Sequence, residues 1–316
     1  MQNWITAPSG RQDVAILLFP RFSNHCLANA VEPLRAANEI LMHEAYRWRF
    51  VTLDGAEVVS SSGLPVVPHG RLRDEPGGTF LFVMSSYDVT RHAGSATDRA
   101  LNSAARRFEV VAGLDTGAWL MAHAGLLDNC AATIHWDELI GFSEAFPTVE
   151  PLSQRFVVDG NRMTCGGAMT TFDFVLDLIR RGHGAALALE VSAFFLDQGA
   201  DAPQARVYRH RTSPLVARSL ALMSSNLETP LPIGQVARQV NTTQRSLSRA
   251  FQAELGAPPA TVYKHLRLAA ARRYAQQSTY SITEIALRCG YANAAAMTRA
   301  FVGEYGRPPS SFRQKP

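Results

Sequence analysis

The stretch Ser248-Arg249-Ala250-Phe251 with Gly256-Ala257-Pro258-Pro259 returns as Thr298-Arg299-Ala300-Phe301 with Gly306-Arg307-Pro308-Pro309. A period of about 50 residues says that one small module is used twice. Ahead of the two copies stand Leu231-Pro232-Ile233-Gly234-Gln235-Val236-Ala237 and Ser281-Ile282-Thr283-Glu284-Ile285-Ala286, with apolar residues at helical spacing. Each copy therefore reads as helix, tight turn, helix. The first turns at Asn241-Thr242-Thr243, where Asn accepts a left-handed backbone and Thr caps the helix that follows. The second turns at Gly290-Tyr291-Ala292-Asn293, where glycine serves without steric cost. A short helix, a turn and a second helix bearing Arg is the arrangement that sets a recognition helix in the DNA major groove. One such pattern also fits two hairpins packed in a plain bundle. Two matched copies, joined by a helical stretch from Thr261 to Gln277, argue against that alternative.

Charge separates this region from the rest. Residues 206–316 hold 16 Lys or Arg against 4 Asp or Glu, whereas residues 1–205 hold 15 against 23. A basic C-terminal third with paired helix-turn-helix units is the electrostatic footprint of a protein that binds double-stranded DNA. The acidic part would repel the same duplex and must do something else. The full chain, 316 residues, accommodates two domains, each able to bury its own core. The polar run Asp197-Gln198-Gly199-Ala200-Asp201-Ala202-Pro203 marks the junction. The expected organisation is a first domain over 1–197, a linker over 198–213 and an all-α domain over 214–316.

No basic start followed by an apolar run opens the chain, and no apolar stretch approaches the ~18 residues of a membrane span. Cys26, Cys130, Cys165 and Cys289 are scattered without metal-ligand spacing. We therefore expect a soluble, reduced, cytoplasmic protein with no metal and no cofactor.

Upstream of the junction, Val14–Phe19, Trp48–Leu53, Phe80–Met84 and Val110–Leu114 are short apolar runs suited to a buried parallel sheet. Helical stretches such as Ala28–Leu41 and Thr97–Arg107 separate them, a pattern that predicts an α/β sandwich. Within it, Gly113-Leu114-Asp115-Thr116-Gly117 joins a strand directly to a helix. This is nucleophile-elbow spacing with Asp115 where a Ser or Cys would stand. Such a turn projects its central side chain at the carboxyl end of the sheet, where α/β proteins bind ligands. A tight turn with Asp115 as a cap is the plainer alternative.

These residues carry a resemblance. Phe22, Glu32-Pro33-Leu34-Arg35-Ala36-Ala37-Asn38, Asp115-Thr116-Gly117-Ala118-Trp119, Ala124-Gly125-Leu126-Leu127, Ala132-Thr133-Ile134-His135-Trp136 and Cys165-Gly166-Gly167-Ala168 with Asp173 resemble the PfpI-like branch of the class I glutamine amidotransferase superfamily. Residues 214–313 resemble the AraC/XylS DNA-binding domain. The combination is that of GlxA-like transcriptional regulators. It implies a flavodoxin-like α/β sandwich with a mostly parallel sheet, followed by two helix-turn-helix motifs. Enzymes of the superfamily place a cysteine at the elbow, with a histidine and a glutamate near it. By motif, Glu32 matches that glutamate and His135 belongs to a His-Trp pair common in the regulators. Asp115 in place of cysteine removes the nucleophile that the chemistry needs, so the domain reads as a sensor without catalytic residues.

The resemblance implies effectors that are small nitrogen compounds, including arginine, glycine betaine and carnitine. If Glu32 and Asp115 face one another, they must share a proton or recruit a cation. Trp119, Trp136, Phe22 and Tyr87 are candidates to offer ring faces to such a ligand, each worth about 0.5–2 kcal/mol. Ser86, Thr116 and His135 are candidate polar contacts. Core packing is the plainer role for the aromatics, and hydrogen bonding within the fold for His135.

On DNA, Thr243, Gln244, Arg245, Ser248 and Arg249 should be exposed on the first recognition helix, with Leu247, Ala250 and Phe251 facing inward. The second carries alanines at 294–296, leaving Asn293, Thr298 and Arg299 as its polar contacts. Base reading should concentrate in the first unit. The two heads would enter successive grooves about 34–36 Å apart. A homodimer contacting RNA polymerase and activating genes that consume the ligand is the expected output, with repression as the alternative sign. The alternative is an enzyme using Asp115, Glu32 and His135, fused to a DNA-binding domain.

Overall fold

The computed structural model describes residues 10–196 and 213–313. It divides into two compact units, Met1–His183 and Gly184–Pro316. The expected linker lies outside the described residues except for Ser213.

In the first unit, β1 (Gln12–Leu18) leads through a helical cap at Ser23 into α1 (Asn24–Leu41), which stops at the left-handed Met42. β2 (Tyr46–Thr52) follows. A small hairpin of β3 (Val58–Val59) and β4 (Pro65–Val66), then β5 (Gly70–Arg71), precede β6 (Gly78–Ser85). After α2 (Ser95–Ala104) come β7 (Phe108–Asp115) and α3 (Gly117–His123). β8 (Ala131–Ala132), α4 (Leu139–Ala145) and β9 (Glu150–Pro151) form a side layer. The hairpin β10 (Phe156–Asp159) and β11 (Arg162–Cys165) and the helix α5 (Ala168–His183) complete the unit.

The seven-stranded sheet has the order β10-β11-β7-β6-β1-β2-β5. Only β10 runs antiparallel to its neighbour in that sheet. Leaving β1, the chain winds first toward β2 and then returns to β6 on the other side, so the carboxyl ends of β1 and β6 diverge at a topological switch point. Alternate residues of each central strand serve opposite faces. Leu17, Leu81, Val83 and Val111 pack with α2, α3 and α4 on one side. On the other, Phe82 meets Phe174 of α5 at 5.9 Å. Each such fully buried side chain contributes about 1.5–3 kcal/mol.

The second unit begins with α6 (Ala185–Leu196), which the sequence expectation places in the first domain. It continues with α7 (Pro214–Ser224), α8 (Ile233–Gln239), α9 (Gln244–Leu255), α10 (Pro259–Gln277), α11 (Ile282–Arg288) and α12 (Ala294–Tyr305). Two cores repeat. Leu247 and Phe251 of α9 fill the first with Val216, Leu220 and Val236, while Met297 and Phe301 of α12 fill the second with Leu268 and Ile285. α10 serves both, contributing Val262 and Tyr263 to one core and Ala271 and Ala275 to the other.

Candidate functional site: a buried carboxylate and two reading heads

The elbow is held by steric necessity. Asp115 sits in the left-handed region at φ 61°. A Cβ at Gly113 would come within 2.6 Å of the Ala118 nitrogen, and one at Gly117 would collide with the Val83 carbonyl oxygen. The glycines thus let α3 press against β6 and β7. The turn is pinned by the Thr116 N–H donating to the Ser85 carbonyl at 3.0 Å and by the His135 N–H donating to the Asp115 carbonyl at 3.2 Å. The Thr116 hydroxyl donates to the Ser86 carbonyl at 3.1 Å.

Asp115 is 6% exposed. The Ser86 hydroxyl donates to its carboxylate at 2.7 Å and in turn accepts the Ser23 N–H at 2.9 Å. Burial raises the Asp115 carboxyl above its ordinary value, while the Ser86 bond and the nearby His135 pull it back. The segments that leave β1 and β6 and the last residue of β7 supply the members of this chain of contacts.

Two thiols lie close by. Cys26, in the first turn of α1, has its Sγ 3.2 Å from the Thr171 hydroxyl, and Cys165 has its Sγ 3.5 Å from the same oxygen and 3.1 Å from that of Thr170. Burial pushes both thiols up, and the charge of Asp115 adds to it. They stay neutral and are poor nucleophiles. β11 pairs with β7 so that Cys165 lies opposite Leu114, the residue before Asp115. Cys26 carries no motif, but its place in the first turn of the helix that follows β1 is the signal that points at the elbow.

Glu32 is not at the elbow pair. It lies six residues beyond Cys26, which turns it to another side of α1. There Arg35 takes its carboxylate at 2.7 Å, with the Glu32 side chain 44% exposed. The expected sharing of a proton between Glu32 and Asp115 therefore falls away. Phe22 is fully buried and presents no face to a ligand. Trp119 packs on Phe142 and Phe146, at 6.2 and 5.2 Å between ring centres. Tyr87 is exposed, with the Arg21 guanidinium 5.5 Å above its ring. Trp136, 75% exposed, lies 5.6 Å from His135, whose Nδ1 accepts the Asp137 N–H. Among the described residues no group of three or more His, Cys, Asp or Glu could hold a metal.

At the first reading head, Asn241 takes φ 59° and the Thr243 hydroxyl accepts the Ser246 N–H at 3.1 Å. Gln244, Arg245, Ser248 and Arg249, with Gln252 and Pro258, line an open concavity of about 610 Å³. At the second, Asn293 caps α12 by accepting the Ala296 N–H at 2.8 Å, Thr298 is half-buried and Arg299 is exposed. Gly290, at φ 71°, lies so close to Leu227 and Pro230 that no side chain fits. Arg267 of α10 donates to the Cys289 and Gly290 carbonyls at 2.7 and 2.6 Å and stacks on Tyr291 at 4.2 Å. This residue fixes the second turn, a role its sequence position does not announce.

A helix-turn-helix domain family matches residues 236–315. The HTH-type transcriptional regulator GbdR of Pseudomonas aeruginosa is 33% identical over 309 residues, covering 96% of this chain and 84% of GbdR. The HTH-type transcriptional regulator GlxA of Rhizobium meliloti is 33% identical over 311 residues, 96% of each chain. A crystal structure of a THiJ/PfpI family protein from Pseudomonas syringae shares the fold at TM-score 0.51 and 20% identity, over 80% of this chain and 91% of that one. With its PfpI-like α/β unit, its paired helix-turn-helix heads and end-to-end likeness to two regulators, the chain belongs to the GlxA-like transcriptional regulators of the AraC family.

Proposed function

We propose that this regulator is controlled by a small, positively charged nitrogen compound, an amino acid or a quaternary amine, taken at the elbow. The observation that supports this reading is the buried Asp115 carboxylate, for which no salt bridge is found among the described residues, while the Ser86 hydroxyl donates to one of its oxygens. A buried carboxylate is costly until a counter-charge arrives. A cation binding there repays its own desolvation by relieving that cost. Thr116, His135 and Trp136 border the elbow, and the exposed Trp136 ring is the aromatic face best placed to meet an ammonium group. No catalysis is assigned: the elbow lacks a thiol and the neighbouring thiols are held neutral.

In this reading Gln244, Arg245, Ser248 and Arg249 read base edges, and Asn293, Thr298 and Arg299 anchor the second head on the backbone. Thr243 adds a phosphate contact. The protein acts as a homodimer, contacts RNA polymerase and activates its target genes. Ligand binding shifts the protein between two states only if its affinity for them differs.

A thermal-shift screen of the full chain against arginine and other amino acids, choline, glycine betaine and carnitine tests the proposal. The variant to compare is Asp115→Asn, because Asn tolerates the left-handed backbone that Ala does not. A shift given by one cation and lost in the variant supports the elbow site. A shift that survives the substitution places the ligand elsewhere, and no shift from any compound refutes the cation reading.

A further inference from the structure

The helix α6 is almost wholly apolar, Ala185-Ala186-Leu187-Ala188-Leu189-Glu190-Val191-Ser192-Ala193-Phe194-Phe195-Leu196, and carries one ionisable group. That group, Glu190, is buried, with 8% of its side chain exposed. One oxygen accepts the Tyr305 hydroxyl at 2.6 Å, and the other meets the Arg272 guanidinium at 3.1 Å, itself 9% exposed. Arg272 also lies over the Tyr305 ring at 5.6 Å from its centre. Arg272 belongs to α10 and Tyr305 is the last residue of α12. A single carboxylate thus ties α6 to the connecting helix and to the end of the second recognition helix.

The first copy of the module is built differently. The residue 50 positions before Tyr305 is Leu255, which ends α9 and packs in the first apolar core. Glu254 there accepts the backbone N–H of Ser213 at 2.7 Å, whereas its counterpart Glu304 pairs with His265 at 2.6 Å and Lys264 at 3.6 Å. Both heads rest on an apolar core, but the last residue of the first recognition helix, Leu255, joins that core, whereas its counterpart Tyr305 meets a buried charge. Ion pairs of this kind add little net stability over apolar packing of the same shape, because desolvation offsets the attraction. What they add is orientation: the Tyr305 hydroxyl bond and the Arg272 ion pair converge on one carboxylate, and both form only in one placement of the three helices.

We infer that Glu190 is the positioning residue of the second reading head, setting α12 at the angle and spacing at which it enters DNA together with α9. The inference rests on the reading that both helices contact DNA. It makes α6 an integral part of the DNA-binding unit rather than a spacer.

The test uses the full chain and DNA selected by the wild-type protein from random sequence, in its two-box form and with the α12 box scrambled. The wild type should bind the two-box DNA at least tenfold more tightly than the one-box DNA. Tyr305→Phe removes only the hydroxyl and keeps the ring against Phe301 and Phe312. It should bring that ratio to within about twofold of unity while one-box affinity stays within twofold of wild type, and Glu190→Ala should reproduce it. Variants that keep the wild-type ratio, or lose one-box affinity equally, overturn the inference. A wild type with no preference for two boxes instead refutes the reading that α12 contacts DNA.

Discussion

Gly113→Ala tests whether the elbow is built by close packing. The added methyl would lie 2.6 Å from the Ala118 nitrogen, 2.9 Å from its Cα and 3.0 Å from the Gly117 carbonyl carbon. All three atoms are backbone, so no side chain can swing aside. Ordinary contact needs several tenths of an ångström more, and α3 must lift away from β7. Overpacking of this kind costs about 1–3 kcal/mol. For a unit the size of Met1–His183, 1 kcal/mol lowers the melting temperature by roughly 2–4 °C, giving a loss of roughly 2–12 °C. Gly141→Ala is the internal control: it lies in α4, its methyl would meet only Trp119 at 3.9 Å, and helix propensity favours Ala by up to about 1 kcal/mol. Differential scanning fluorimetry of both variants checks the argument. Equal melting of Gly113→Ala and wild type would refute the close-packing account of the turn.

Asp115→Asn should be at least as stable as wild type at neutral pH. The folded state holds the Asp115 proton more tightly than the unfolded state, so wild-type stability falls as pH rises through the raised value and is flat above it; urea melts across pH should show this slope vanish in the variant. Affinity for a cationic ligand should run the other way, rising with pH over the same window, as calorimetry would record. Arg245→Ala should cost about 1–3 kcal/mol and relax base preference at one position, while Arg299→Ala should weaken all sequences alike and reduce the salt slope by about one, both read from affinities over a salt series. Asn241→Ala should destabilise the second unit by about 1–2 kcal/mol through its φ of 59°, and Asn241→Gly should not, as chemical denaturation can measure.

The central strands were legible because β1, β6 and β7 are apolar on both faces and β2 alternates Arg47 and Arg49 with large apolar residues, and the turn residues Asn241 and Gly290 because few residues accept their backbone conformation. β10 and β11 were not read. They are four residues each, and β11 mixes Arg and Thr with apolar positions, though Gly160-Asn161 between them is a hairpin signal. The heads were clear from repetition and charge. The elbow's surroundings were not, because motif strength is no guide to helical phase: Glu32 stands in a recognisable motif yet faces Arg35, while Cys26, outside any motif, reaches Thr171 and lies within range of the Asp115 charge. The role of α6 was hidden for a related reason. An apolar helix can bury itself in many places, and the contacts of Glu190 with Arg272 and Tyr305, far along the chain, are not written in its own sequence.

Coupling between the elbow and the DNA-binding unit is read from the affinity of the full chain for its selected DNA, with and without a saturating cation from the screen, in wild type and Asp115→Asn. The account predicts a change of at least about fivefold in the wild type, the scale of ordinary allosteric coupling, lost in the variant while ligand-free DNA affinity is unchanged. An unchanged DNA affinity with the cation demonstrably bound, or a full response in Asp115→Asn, would contradict it.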